Sequence, residues 1–570
     1  MFALVLVLVV VVIGITVWGS RRALSRDAAR VSDGAAIRRF FTYLLLFALL
    51  MLSATGLSAL LGRVVDVGRP SDLDAESLAQ STAYVLVGVP LYAVVAAWTR
   101  GRFRSDPDES RSRGWTLYVT AASFVSLVAT VLAVQGTVVW ALGAPGTFGA
   151  QFGELAVWGI VWLAHRWVEH RLVGGQVLTR ADFLGAVLGL GVASTGAVMV
   201  LGRLAGQLLS VPVPQSSDGP SLLQTGVATM VSGLVAWVVS WLVPSGRLQR
   251  GTLWHVYVLI FGVAGGLLTA VVGASVSLDR FVLWLLRGTS AGSSSPDLEG
   301  LPVALAAVVV GGLVWLYHRT VLRLGEEHGR TEVRRAYDYL LAGVGLVAAA
   351  VGVMMLVVAG VEGLVAGSVS PAEEADPLET VVAAATLLAV GTPLWWVFWR
   401  RVSVAVEADP IVERRSRIRR AYVFLVFGIA ALATVVALLA GVVTVLQDLF
   451  ASLLGAQTLH SVRYSIGIIA TAGLVAGYHW VVLRADRTVL ADRQHGPRYV
   501  LLVGPADPDV AQALHRLTGG SVSLLTRTDA PATSWRVDEL AQTLAGIPDT
   551  AGVVVLADDT GLHAIPVTAP

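Results

Sequence analysis

The chain is 570 residues long, 55% apolar and only 14% charged, with 59 glycines; soluble domains carry about 25% charged residues, so there is too little polar surface here to cover several water-soluble domains. Cysteine and lysine are absent and all 41 basic residues are arginine, which excludes disulfides, thiolate metal sites, Schiff-base lysines and Walker-type phosphate loops. The net charge of +2 says little about nucleic acid, and none is expected as a partner.

Apolar runs long enough to cross a bilayer number thirteen. They lie near 2–19, 40–62, 82–99, 115–142, 152–168, 182–210, 221–243, 253–277, 301–318, 337–361, 378–399, 420–446 and 462–483. The first has no basic residue before it, is followed by Arg21, Arg22, Arg26 and Arg30, and lacks a small-residue cleavage site, so it reads as a retained anchor with its N-terminus outside. With that start, most arginines fall in loops on the cytoplasmic side, as the positive-inside bias requires. The opposite loops collect acids, among them Asp72, Asp74, Glu76, Asp297, Glu299, Glu373, Glu374, Asp376 and Glu379. Trp18, Trp98, Trp115, Trp167, Trp254, Trp315, Trp399 and Trp480 stand where a span meets an arginine-rich loop, as expected of an interfacial belt.

A pattern recurs after the anchor. Arg38-Arg39-Phe40-Phe41-Thr42-Tyr43-Leu44 is echoed by Arg334-Arg335-Ala336-Tyr337-Asp338-Tyr339-Leu340 and by Arg419-Arg420-Ala421-Tyr422-Val423-Phe424-Leu425. Weaker copies surround Tyr118 and Tyr257, and the most degenerate begins at Arg180 and Asp182. Second helices end alike, in Val161-Trp162-Leu163-Ala164-His165-Arg166, Val314-Trp315-Leu316-Tyr317-His318-Arg319 and, more loosely, Gly477-Tyr478-His479-Trp480; two others carry Gly88-Val89-Pro90 and Gly391-Thr392-Pro393. The expected architecture is an all-α polytopic membrane protein of about 13 transmembrane helices, an N-terminal anchor plus six two-helix repeats, with a small C-terminal α/β domain. The expected boundaries are 1–37 for the anchor and its arginine-rich linker, then repeats at 38–112, 113–179, 180–250, 251–333, 334–418 and 419–495. An even number of spans per repeat predicts parallel, not inverted, units.

These residues carry a family resemblance. The arginine pair, the aromatic after it, the long glycine-containing helix and the Trp-x-x-His-Arg ending resemble the repeated bacterial membrane domain catalogued as domain of unknown function 5671. The resemblance covers roughly 38–490; the unit at 180–243 departs most, lacking both the aromatic opening and the His-Arg ending. It implies an integral membrane repeat protein and no particular chemistry.

Composition changes after Arg493, and Gly496-Pro497 marks the boundary. Strands are expected at Tyr499 to Val503, Val522 to Thr526, Gly552 to Ala557 and Leu562 to Val567, with helices at Pro508 to Leu517 and Val537 to Ala545. This predicts a cytoplasmic α/β domain over 496–570. Val503-Gly504-Pro505-Ala506-Asp507 stands at a strand end but matches no phosphate-binding motif, so a structural or docking module is expected.

Asp66, Gln207, Asp279, Glu362 and Asp448 fall about one hydrocarbon thickness after the aligned aromatics and form an expected outer polar shelf, either solvated helix ends or a cation-gathering vestibule. Arg203 lies inside its span, with Glu154 and Gln135 in neighbouring spans at similar depth; a Glu154–Arg203 pair competes with a snorkelling arginine. His165, His255, His318 and His479 at inner ends read as interface anchors rather than haem ligands. No catalytic motif stands out, and no cofactor or metal is expected. The leading expectation is a structural or partner-binding membrane scaffold whose partners are the bilayer and a membrane or cytoplasmic protein reached through the C-terminal domain. The alternative is a transporter or channel, in which Pro90 and Pro393 break helices beside a pathway.

Overall fold

In hydrocarbon every backbone N–H and C=O must be satisfied within the chain, and long runs of leucine, valine, alanine and glycine do so as helices. The computed structural model describes residues 33–66, 75–173, 177–211, 220–245, 249–287, 296–322, 331–365, 367–368 and 376–491. In the C-terminal part it describes 499–505, 507, 509–511, 513–514, 521–526, 535–545, 552–558 and 561–567. The expected anchor near 2–19 lies outside the described residues.

Among the described residues twelve long helices follow one another: α1 (Asp33–Val65), α2 (Ala75–Ser105), α3 (Arg113–Ala141), α4 (Phe148–Val173), α5 (Arg180–Leu209), α6 (Leu222–Ser245), α7 (Thr252–Arg287), α8 (Leu301–Leu322), α9 (Glu332–Val365), α10 (Pro377–Ala408), α11 (Arg417–Phe450) and α12 (Arg463–Ala491). Eleven of the described helices are long and apolar enough to cross a membrane. The exception is α4, whose apolar stretch is diluted by Gln151, Glu154 and His165. The two helices with a proline in mid-span, α2 with Pro90 and α10 with Pro393, continue through it. Two helices instead carry wide turns: π-helical residues at Val238–Leu242 in α6 and at Tyr257–Ala264 in α7.

The chain divides into two compact units, residues 1–352 with 375–395, and residues 353–374 with 396–570. In the first unit, α1 packs on α2 and α4, and α3 packs on α4. The next four helices repeat the arrangement: α5 packs on α6 and α8, and α7 on α8. The packing unit is therefore four helices, its first helix closing against its last. In the second unit α11 packs on α12, and the end of α9 meets α12, where Gly467 lies against Met354 and Val358.

Close approach at small residues sets these contacts. A Cβ on Gly153 of α4 would collide with the Ser58 carbonyl and with the backbone of Gly62 in α1. Gly189 of α5 lies on the backbone of Trp237 in α6, and Gly233 of α6 on that of Ala193 in α5. Gly345 of α9 meets Trp395 of α10, and Gly391 of α10 meets Ala349 of α9.

The C-terminal sheet, within the second unit, has strands β1 (Tyr499–Gly504), β2 (Ser521–Thr526), β3 (Gly552–Asp558) and β4 (Gly561–Val567) in the order β2-β1-β3-β4. β1 is parallel to β2 and β3, and β4 is antiparallel to β3. Alternation puts Val500, Leu502, Val553 and Val555 into a core with Val510, Leu514, Trp535, and Leu540 and Leu544 of α13 (Val537–Ala545). The opposite face carries Leu501, Val503, Val554, Leu556 and Ile565, half-buried or exposed.

Candidate functional site

At the arginine-rich ends of the helices, one contact recurs between the third and fourth helix of a set. In the first set the Tyr118 hydroxyl on α3 meets His165 Nε2 on α4 at 3.1 Å. In the second, Tyr257 on α7 meets His318 Nε2 on α8 at 3.4 Å. In the third, the Tyr422 ring on α11 stands 6.0 Å from that of His479 on α12. Each histidine Nδ1 faces the carbonyl four residues earlier, Val161, Val314 or Val475, at 2.8 Å. A carbonyl only accepts, so Nδ1 carries the proton; at the first two sites Nε2 accepts from tyrosine.

The histidines are therefore interior groups, with His318 and His479 wholly buried, where the sequence reading expected interface anchors. In the second and third sets the cover comes from the second helix. Trp241 of α6 lies 4.4 Å from the Tyr257 ring and donates Nε1–H to the Tyr317 hydroxyl at 3.2 Å. Trp399 of α10 lies 6.0 Å from Tyr422 and donates to the Tyr478 hydroxyl at 2.6 Å. The tryptophan belt divides accordingly: Trp98, Trp167 and Trp480 are exposed, whereas Trp254 and Trp399 are core residues.

The first set departs from this pattern. The glycine contacts align the second helices, Gly88 lying on Ser53 as Gly233 lies on Ala193 and Gly391 on Ala349. Eight residues after these glycines stand Ala96, Trp241 and Trp399. The residues before the three histidines are Ala164, Tyr317 and Tyr478. The first set thus has two alanines where the others place a hydrogen-bonded Trp–Tyr pair, and a cavity of about 510 Å³ opens there, lined by both alanines, Tyr92, Tyr118, His165 and Trp167. Tyr92 reaches the Tyr118 hydroxyl at 3.3 Å, and Arg100 and Arg171 stand on the lining.

Ion pairs fasten the same ends. Glu109, in the turn after α2, is buried and accepts from Arg39 Nε at 2.9 Å, Arg38 at 3.4 Å and the Tyr43 hydroxyl at 3.1 Å. Asp182 of α5 is paired with Arg166 and His170 of α4, each at 2.8 Å. Asp486 of α12 takes two bonds from Arg419 of α11, at 2.7 and 3.0 Å, with Arg414 at 3.5 Å. Burial and this geometry make these contacts stronger than exposed pairs.

Of the expected outer shelf, Asp66 accepts from the Gly149 amide at the start of α4 at 3.0 Å. Asp279 lies 3.7 Å from Arg280 Nε, and Gln207 is exposed on α5. In the second unit Glu362 of α9 pairs with Arg463 of α12 at 2.8 Å, and Asp448 is half-buried on α11. Glu154 is exposed on α4 and Arg203 half-buried on α5; Gln135 donates to Thr229 at 2.9 Å. His255 Nδ1 faces the Gly251 carbonyl at 2.9 Å. At the β1 end, Trp535 packs over Gly504 and donates to the Pro505 carbonyl at 2.8 Å. An indole occupies the place where a phosphate loop would receive its ligand.

In the sequence Tyr118 and Tyr257 stand out as repeat landmarks, far from the histidines that they meet in the fold. The signal was present: a tyrosine early in one helix and a histidine late in the next, in alternate repeats. Glu109 and Asp486 gave none, being acids set among arginines in a loop and at a helix end.

The two outer sets of four helices have relatives. A family described as a domain of unknown function (DUF5671) matches residues 39–164 and 335–476. The match falls in two separate regions of the chain, consistent with a repeated domain. Each match runs from the first helix of a four-helix set into the last, which agrees with the packing unit found in the fold. α5 to α8 lie between the matches, and they keep the Tyr–His contact while losing the proline and the aromatic opening. No curated protein and no solved structure matches the chain.

Proposed function

We propose that this integral membrane protein is a structural and partner-binding scaffold, with thirteen spans built as an anchor and paired helices, its N-terminus outside and its sheet domain in the cytoplasm. The observation that supports it most is the closure of each described helix set. Glycines bring backbones into contact along the spans, and carboxylates are paired with arginine where the helices end. Helices fixed in this way hold a shape in lipid, where no hydrophobic drive acts between them. Partner binding finds support in the second sheet face, where Val554 and Leu556 lie beside the 52%-exposed Ile565; apolar surface of this kind marks interaction sites.

Transport is the second reading, favoured by a groove of about 630 Å³ among α5, α7 and α8, lined by Gly191, Thr195, Gly266 and Gly311 beside the π-helical turn of α7. Reconstitution into vesicles loaded with pH- and ion-sensitive dyes separates the two. The scaffold reading expects flux no greater than in protein-free vesicles, and a protein-dependent flux overturns it. A photo-crosslinker replacing Ile565 in cells should give one discrete adduct; its absence removes the partner role of the sheet. Because the chain has no cysteine, a single Asp538→Cys variant reports topology directly. An impermeant maleimide should label it only after the membrane is opened.

A further inference from the structure

We propose that the cavity of the first four-helix set is a binding site for one anionic phospholipid drawn from the surrounding bilayer. The cavity is a position the fold otherwise fills. Trp241 with Tyr317, and Trp399 with Tyr478, each close the layer above the Tyr–His contact through an indole-to-hydroxyl hydrogen bond. Ala96 and Ala164 stand at those two positions in the first set and leave about 510 Å³ open. Loss of one large residue would leave a gap for neighbours to relax into; loss of both members of a bonded pair at one spot leaves a shaped vacancy.

The lining states what fits. The floor is apolar and aromatic, made by Leu46, Tyr92 and Ala96 with the Tyr118–His165 bond already satisfied beneath it. Arg100 and Arg171 belong to the same lining, which contains no carboxylate. Both arginines are exposed, and among the described residues neither forms an ion pair with an acid. The Arg171 guanidinium lies 3.9 Å from the Trp167 ring, which holds it in place without neutralising it. The occupant therefore has an apolar chain and a negative head. The site stands at the level of the exposed Trp98 and Trp167, the headgroup depth preferred by tryptophan. The face of α4 leading to it shows Ile160 and Leu163 to the outside, so the chain enters from lipid. An acidic phospholipid places its phosphate at the two arginines and an acyl chain over Ala96 and Ala164. This site does not rest on the scaffold reading, and a lipid bound here is compatible with either reading above.

The test is native mass spectrometry of the full chain in detergent, titrated with dioleoylphosphatidylglycerol or dioleoylphosphatidylcholine. The wild type should retain one phosphatidylglycerol at least about tenfold more tightly than phosphatidylcholine, the scale set by two arginines near an anionic group. An Ala96→Trp/Ala164→Tyr double variant, which installs the pair found in the other two sets, should lose that lipid while melting no lower than the wild type. Arg100→Gln/Arg171→Gln keeps the cavity and should reduce phosphatidylglycerol to the phosphatidylcholine level. Equal retention of both lipids by the wild type overturns the proposal. So does unchanged phosphatidylglycerol binding in either variant, and should the filled variant not fold, the arginine variant decides alone.

Discussion

The Tyr118 hydroxyl donates to Nε2 of His165 across 3.1 Å, in a layer where the opposite ring nitrogen is already committed to the Val161 carbonyl at 2.8 Å. The bond fixes both the tautomer and the distance between α3 and α4. Removing the donor leaves a buried ring nitrogen unsatisfied, at about 1 kcal/mol for a bond inside a membrane protein. Tyr118→Phe should therefore lower the melting temperature in detergent. Tyr257→Phe should lower it as well, because it leaves both His318 Nε2 and the Trp237 Nε1–H, which donates to that hydroxyl at 2.7 Å, without their partner.

Two glycines of one helix should respond oppositely to the same change. Gly153 lies against the Ser58 carbonyl and Gly62, whereas nothing lies within 4 Å of a Cβ placed on Gly159. Gly153→Val forces α4 from α1 and should cost about 2 kcal/mol or prevent folding, in the range of overpacked cores. Gly159→Val should be neutral within about 0.5 kcal/mol. Thermal unfolding followed by size-exclusion chromatography measures both.

The Arg419–Asp486 pair at the helix ends is deeply buried, with side chains 6% and 10% exposed. Asp486→Asn removes a charge that holds Arg419 and should destabilise by about 3 kcal/mol, in the range for breaking a buried pair. Arg419→Met/Asp486→Leu removes both charges and should recover most of that loss. A double variant no better than Asp486→Asn would mean that the pair is not a closed unit.

Acid should loosen the start of α10. The Leu378 amide donates to Asp376 Oδ1 at 2.9 Å, and this bond, with the Arg287 guanidinium beside it, holds the Asp376 carboxyl below its ordinary range. A carboxyl depressed in the folded state contributes stability above its unfolded value and loses it as pH falls through the folded value. The protection factor of the Leu378 amide should therefore hold at neutral pH and fall only below the ordinary carboxylate range. Asp376→Asn should show the low value at every pH. A wild-type protection factor that does not change with pH would show that the carboxylate plays no part.

How much could be read in advance varies along the chain. The twelve apolar runs from 40 to 483 are all helical where expected, because a run of valine, leucine and alanine satisfies its backbone within itself. The strands at 499–504 and 552–558 were equally legible through their β-branched runs, and α13 through its amphipathic pattern. The pairing of Glu362 with Arg463 was not legible, since it joins helices far apart in sequence and follows from α9 lying on α12. Two-helix repeats were visible because aromatic openings recur; that α1 closes on α4 and α5 on α8 was not. Which helix closes against which depends on glycine contacts that no periodicity displays.

By itself the sequence determined that the spans are helices, that their arginine-rich ends differ from their acidic ends, and that a small α/β domain follows. These are consequences of composition, since lipid and water sort residues one span at a time. Only the tertiary structure decided that the histidines are buried under tryptophan in two sets and beside an open cavity in the first. That outcome hinges on Ala96 and Ala164, two residues unremarkable in sequence whose small volume matters only where the second and fourth helices converge.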